Sequence, residues 1–291
     1  MSYRARLGAL ALAAAITGCK SDRPSTAAGS AAAAPAEPSK SAPATVTVTT
    51  RDYGFDAPAA IAPGATTFHL VNHGKELHQA LLIKLEDGKT VEDLAKALKA
   101  PGPPPSWVKF VGGPNGVAPG QEAQATSVLA PGRYAYLCVI PSPDGIMHAA
   151  KGMMRPFEVT NTGSASTATE LPTPDVTIKL VDYDFELSQP LTPGRHTITV
   201  ENAGPQPHEL VLLKLPPGKK VEDFAGWAEG GMKGAPPAEP VGGVGLLDKG
   251  SQGSFTTELE PGAYGFICFV PDAKDGKPHL AHGMMKTIKV G

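Results

Sequence analysis

Basic excess is missing from this chain: 26 Lys and Arg stand against 28 Asp and Glu, and only 19% of the 291 residues are charged. Electrostatics of that kind recruit neither nucleic acid nor an anionic bilayer. Helix-favouring composition is lacking as well. With 33 Gly and 30 Pro beside 41% hydrophobic residues, the chain reads as a loop-rich β protein joined by linkers rather than a helical bundle. No apolar run is long enough to span a bilayer as a mature helix; Leu7 to Ile16 is too short. Cysteine is scarcer still, with three in total, at Cys19, Cys138 and Cys268.

Each cysteine has a context. Arg4 and Arg6 precede the Leu7–Ile16 run, which ends Ile16-Thr17-Gly18-Cys19. That pattern reads as an export signal over 1–18 and resembles a bacterial lipobox, in which Cys19 becomes the lipidated first residue. Residues 19–44 then form an Ala/Pro/Ser-rich linker without apolar periodicity, a disordered tether holding a folded module off the membrane. The expected location is the bacterial cell envelope, periplasmic or outer-surface, with the lipid as the only membrane contact.

From Val46 the sequence duplicates itself at an offset of 130. Asp52-Tyr53 returns as Asp182-Tyr183, Asn72 as Asn202, His78 as His208 and Cys138 as Cys268. One residue is inserted after the second cysteine, so His148 falls on His279 and Met153 on Met284. The expected layout is a first domain over 45–160, a linker over 161–174 and a second domain over 175–291. Cys138 and Cys268 occupy equivalent places in two separately folded copies and are poorly placed to pair. Two thiols kept reduced in an oxidising compartment imply a bound metal.

Within each copy, β-branched runs separated by Pro-Gly turns predict strands at Val46–Thr50, Thr66–Val71, Ala80–Ile83 and Tyr134–Ile140. Their counterparts are Val176–Leu180, His196–Val200, Leu210–Leu213 and Tyr264–Val270. Short helices are predicted at Thr90–Leu98 and Lys220–Trp227, the first N-capped by Thr90 with Asp93 three residues on. The expectation is all-β: two tandem Greek-key sandwiches, each with a short helical insertion.

In both copies a histidine lies far upstream, a cysteine closes a late strand, and a histidine and methionine follow on the next loop. Thiolate, imidazole and thioether are soft donors. A type 1 copper centre takes Cys and two His in a trigonal plane with a weak axial Met. The first site is then His78, Cys138, His148 and Met153, and the second His208, Cys268, His279 and Met284, with up to one copper per domain. Read without metal, the cysteines are small buried hydrophobes. Gln79 and Glu209, beside the upstream histidines, either orient the site or are polar strand residues. His282, at the place of Lys151, reads as an exposed edge residue, an alternative ligand or a partner contact.

These residues resemble the cupredoxins over both copies. The most specific parts are His148–Met153 (HAAKGM) and His279–Met284 (HLAHGM), where the His-to-Met spacing matches the family, together with Tyr134 and Tyr264, four residues before each cysteine. Asn72 and Asn202 also fit. One departure stands out: Cys to His spans ten and eleven residues, against two to five in small blue proteins, as though a turn were inserted. The resemblance implies cycling between Cu(I) and Cu(II) and a redox partner protein. Two-domain relatives include enzymes in which a histidine beside the type 1 cysteine leads electrons to a catalytic copper. Here no His-Cys or Cys-His dipeptide exists, and eight histidines are too few for two blue sites plus a trinuclear cluster, so the expectation is not an enzyme. Copper capture and delivery to a receiving protein, or a metal-free pair of adhesion modules, are the alternatives.

Overall fold

The computed structural model describes residues 42–99, 102–161 and 168–291. The export signal, Cys19, most of the tether and part of the predicted 161–174 linker lie outside them. Among the described residues no helix is long and apolar enough to cross a membrane.

The first half runs β1 (Ala44–Arg51), β2 (Gly54–Asp56), β3 (Ala60–Ile61), β4 (Gly64–Asn72), β5 (Leu81–Leu85), α1 (Val91–Ala97), β6 (Val108–Phe110), β7 (Glu122–Leu129), β8 (Gly132–Leu137) and β9 (Met154–Val159). The second runs β10 (Val176–Val181), β11 (Asp184–Leu187), β12 (Gly194–Asn202), β13 (His208–Leu215), α2 (Val221–Glu229), β14 (Glu239–Leu247), β15 (Gln252–Leu259), β16 (Gly262–Ile267) and β17 (Met285–Val290). The all-β expectation holds, and both predicted helices are present.

An eight-stranded sheet, ordered β11-β10-β12-β15-β7-β4-β1-β2, runs through both halves. Each half stacks its own smaller sheet on its share of the large one: β3-β9-β8-β5-β6 in the first and β14-β13-β16-β17 in the second. The seam is a short antiparallel contact of β7 with β15, Thr126 opposite Ser254 and Ala125 opposite Phe255. The described residues from 42 onward belong to one compact unit.

Burial on both faces explains the composition of β5. Its Leu82 joins Phe68, Tyr136 and Phe157 inside the sandwich, while Leu81, Ile83 and Leu85 pack under Leu94 of α1. A strand covered on both sides has no solvent face to alternate with, so it reads as a continuous apolar run. The helix that provides the cover starts where Thr90 accepts from the Asp93 amide and Asp93 accepts from the Thr90 amide, a reciprocal cap of the kind typically worth about 1 kcal/mol.

The late strands end sooner than predicted. β8 stops at Leu137 and β16 at Ile267, because past them the backbone turns to the following loop: Cys138 N donates to Met153 O at 3.3 Å, and Ala149 N to Cys138 O at 2.8 Å. The cysteines therefore sit just beyond the rigid strand, facing the loop.

Candidate metal centres

Construction begins at the turn before β5. Asn72 is fully buried and its side-chain amide donates to Glu76 O and Val117 O, both at 2.9 Å, while its Oδ1 accepts from Gly74 N at 2.8 Å. Asn202 repeats the pattern with Gln206 O, Leu247 O and Gly204 N. The short turn they fold brings His78 and His208 into the interior. Glycine is required beside each, because a Cβ on Gly74 would lie 2.3 Å from His78 Nε2 and one on Gly204 would lie 2.6 Å from His208 Nε2.

The second side of each site is the loop after the cysteine. The extra residues close on themselves: Pro141 bridges to Met147 and Ser142 N donates to Ile146 O, just as Pro271 bridges to Pro278 and Asp272 N donates to Lys277 O. The inserted turn thus loops out and returns the histidine to the cysteine. His148 N is bonded to Ile140 O at 3.0 Å and His279 N to Val270 O at 2.9 Å. Single 3-10 turns, His148–Lys151 and His279–His282, follow and end on left-handed Gly152 and Gly283. Each sends its methionine back: Met153 N donates to His148 O and Met284 N to His279 O.

Two compact donor groups result. Nδ1 of His78 lies 3.1 Å from Nδ1 of His148, which lies 3.3 Å from Cys138 Sγ. In the second group Nδ1 of His208 is 3.0 Å from Nδ1 of His279, which is 3.4 Å from Cys268 Sγ. All six residues are fully buried. Met153 and Met284 are also at 0% exposure, in the same apolar clusters as Cys138 and Cys268 respectively.

Carboxylates decide which nitrogen points inward. Nε2 of His78 donates to Asp52 Oδ1 at 2.9 Å, and Nε2 of His148 to Glu76 Oε2 at 2.8 Å. In the second group Nε2 of His208 donates to Asp182 at 2.6 Å. His279 Nε2 has no hydrogen-bond partner, its nearest carboxylate, Asp272, being 3.9 Å away. An ionised carboxylate can only accept, so in His78, His148 and His208 the proton stays on Nε2 and the Nδ1 lone pair faces inward. Burial works against Asp52, but the His78 hydrogen bond and the Lys75 amide outweigh it and hold the carboxyl below its usual range. Burial pushes the Cys138 thiol up to about 12. It raises Cys268 further, helped by the nearby Glu209 carboxyl. Burial also depresses His78 and His208, and brings His279 down to about 4 with the help of His208.

Inward-facing imidazole lone pairs crowded against a thiol are poorly satisfied without a cation between them. Two imidazoles and a thiolate buried together fit copper, and the set matches a type 1 centre.

Several contributors were not legible in advance. Asp52, Glu76 and Asp182 orient the histidines; among them only the recurrence of Asp-Tyr in both copies was a sequence signal. Gln79 and Glu209 act on the cysteines rather than the histidines: their backbone amides bond to the Cys138 and Cys268 sulfurs and oppose the upward push of burial. The Glu209 carboxylate also accepts from Phe269 N, next to Cys268, at 3.2 Å and from Asn115 Nδ2 at 3.0 Å. His282 is exposed, stacks on Tyr183 with ring centroids 4.9 Å apart and contacts Asp275 at 3.2 Å. It forms a third close group with Asp272 and Asp275, although the Asp272 carboxylate already accepts from Tyr183, Gln206 and the Lys274 amide. His69 pairs with Glu122 and His196 with Thr192, away from both sites.

The chain matches no family model and no curated protein. It is similar to solved structures, among them auracyanin B, at 22% identity over 42% of this chain and 93% of that one, TM-score 0.28. Auracyanin from the photosynthetic bacterium Roseiflexus castenholzii matches at 20% over 40% and 94%, TM-score 0.26. A Cu-containing nitrite reductase from Thermus scotoductus matches at 14% over 86% of this chain and 62% of its own, TM-score 0.24. Multicopper oxidases are similar as well. The expectation that the chain is not an enzyme is corrected by these structures, which include copper enzymes. Its basis was too narrow, since a missing His-Cys dipeptide removes only one route for electrons into a second copper.

Proposed function

We propose that this protein is a copper-binding electron-transfer protein of the cell envelope, one type 1-like centre in each half. Domains over 45–160 and 175–291 would each hold one copper, through His78, Cys138, His148 and Met153 in the first and His208, Cys268, His279 and Met284 in the second. Cys19 would carry the lipid, and the 19–44 tether would let the folded part reach a redox partner protein. Copper supplies a one-electron couple. The chain supplies a rigid compromise between the geometries that Cu(I) and Cu(II) prefer.

The observation that carries this reading is the complete burial of all six His and Cys donors. Electrons pass through packed protein, whereas an ion handed to another protein needs ligands that its acceptor can reach. That contrast favours electron transfer over copper delivery. Loading the purified protein with Cu(II) tests the reading: an intense thiolate-to-copper visible band, two coppers per chain and a reversible redox wave are expected. Absence of the band and the wave would sink it, and rapid loss of Cu(I) to a chelator would favour delivery.

A further inference from the structure

One buried polar contact joins the two halves beside both centres. Glu209, adjacent in sequence to His208, is 5% exposed, and Asn115 is 2% exposed. Oε1 of Glu209 accepts from the amide of Phe269, the residue after Cys268, at 3.2 Å. Oε2 accepts from Asn115 Nδ2 of the first half at 3.0 Å. From Asn115 the path continues through Gly116 to Val117, whose amide donates to the carbonyl of His78 at 3.0 Å. Covalent bonds and three hydrogen bonds therefore connect Cys268 to His78 through packed interior.

The loop bearing Asn115 is held firmly against the second half. Gly112 N donates to Leu246 O, and Gly245 N to Gly113 O, both at 2.9 Å. Asn115 Nδ2 also reaches Leu210 O at 3.2 Å and Val244 O at 3.4 Å.

The repeat shows that the bridge is not a requirement of the fold. By the 130-residue offset, Glu209 corresponds to Gln79 and Asn115 to Gly245, and Gln79 Nε2 has no partner at all. One copy thus dispenses with both groups. Burying a carboxyl is costly unless it is well paired, and of the two copies only the second carries a carboxyl at this position, where Asn115 of the first half meets it.

We propose that Glu209 and Asn115 form an electron path between the two copper centres, so that the chain exchanges electrons internally. This rests on the copper reading above. In each exchange one electron leaves Cu(I) at one centre, which becomes Cu(II), and reduces Cu(II) at the other to Cu(I). No ligand bond breaks and no outside reagent is consumed.

The test uses the whole chain with both centres loaded. Spectra of the individual centres come from Cys138→Ala and Cys268→Ala. A substoichiometric pulse of a one-electron reductant is then followed optically, and the concentration-independent redistribution between centres gives the internal rate. Glu209→Gln inserts the residue that the other copy carries, and Asn115→Ala removes the opposite partner, so the test does not depend on one variant folding. Asp248→Asn serves as a control, because the Asp248 carboxylate bridges the halves at Phe110 N, away from the path. Expected is a rate at least several-fold lower in both path variants, with visible bands and potentials retained and the control unchanged. Equal rates in all four proteins, or no concentration-independent phase in the unmodified one, would overturn the path. Lack of a copper–thiolate band in the unmodified protein would overturn the copper reading itself.

Discussion

Asp52 Oδ1 accepts the Nε2 proton of His78 at 2.9 Å, and Asp182 does the same for His208 at 2.6 Å. Neither aspartate belongs to the inner donor group, yet each fixes the tautomer that turns Nδ1 toward the cysteine. Replacing Asp52 with Asn removes the obligate acceptor while keeping the size of the side chain. Copper affinity of the first centre is expected to fall by roughly 10–100-fold, leaving the second untouched. Competition with a chelator, done in a Cys268→Ala background so that one centre is read alone, measures this. Unchanged affinity would mean that the contact does not orient the ring.

Gly74 and Gly204 allow those pairs to form. A Cβ at residue 74 would come 2.3 Å from His78 Nε2 and 2.5 Å from Asp52 Oδ1, and one at 204 would come 2.6 Å from His208 Nε2 and 3.0 Å from Asp182 Oδ1. Both histidines are locked by packing, so the added methyl displaces the ring. Gly74→Ala is expected to cost about 1–3 kcal/mol in the metal-free protein and to lower copper occupancy of its centre, and Gly204→Ala is expected to do the same more mildly. Thermal unfolding with copper stoichiometry ranks the two, and a reversed order would contradict the geometry.

Much of this arrangement was legible because the chain is written twice. The repeat, at an offset of 130 and then 131, singled out His78, Cys138 and His148 among many polar residues, and Thr90 with Asp93 marked the start of α1. The run Leu137-Cys138-Val139-Ile140 reads as continuing strand, whereas its backbone groups are taken by the returning loop. Spacing could not reveal Asp52 either, since it contacts a histidine 26 residues away through a turn that Asn72 shapes. The β7–β15 seam was equally hidden, because alternation along a strand says which face is buried and not which edge finds a partner.

Copper loading should release protons. Burial holds the Cys138 thiol at about 12 and Cys268 higher, so both are protonated in the metal-free protein at neutral pH, while the metal binds the thiolate. One proton per centre must leave. Apparent affinity should then rise by about tenfold per pH unit near neutrality. Titration of Cu(I) in weakly buffered solution reads the release directly. A release near zero would mean that the thiols are already ionised or take no part in binding.

Acid should weaken the metal-free protein well before its carboxylates titrate. His279 is held at about 4 in the folded chain, chiefly by burial, against an ordinary 6.5, and His78 and His208 are depressed in the same direction. Between pH 6.5 and 4 the unfolded chain therefore binds protons that the folded chain refuses. Unfolding free energy falls with pH across that window, by up to about 1.4 kcal/mol per pH unit for each fully depressed histidine. Asp52 and Glu76, held below their usual range, add a further loss only at lower pH, below about 4. Copper held by these histidines would stabilise the folded state by mass action, so the loaded protein should resist the upper window. Urea unfolding from pH 7 to 3, with and without copper, separates the two phases. A metal-free protein equally stable at pH 7 and 5 would show that the buried imidazoles are not held neutral.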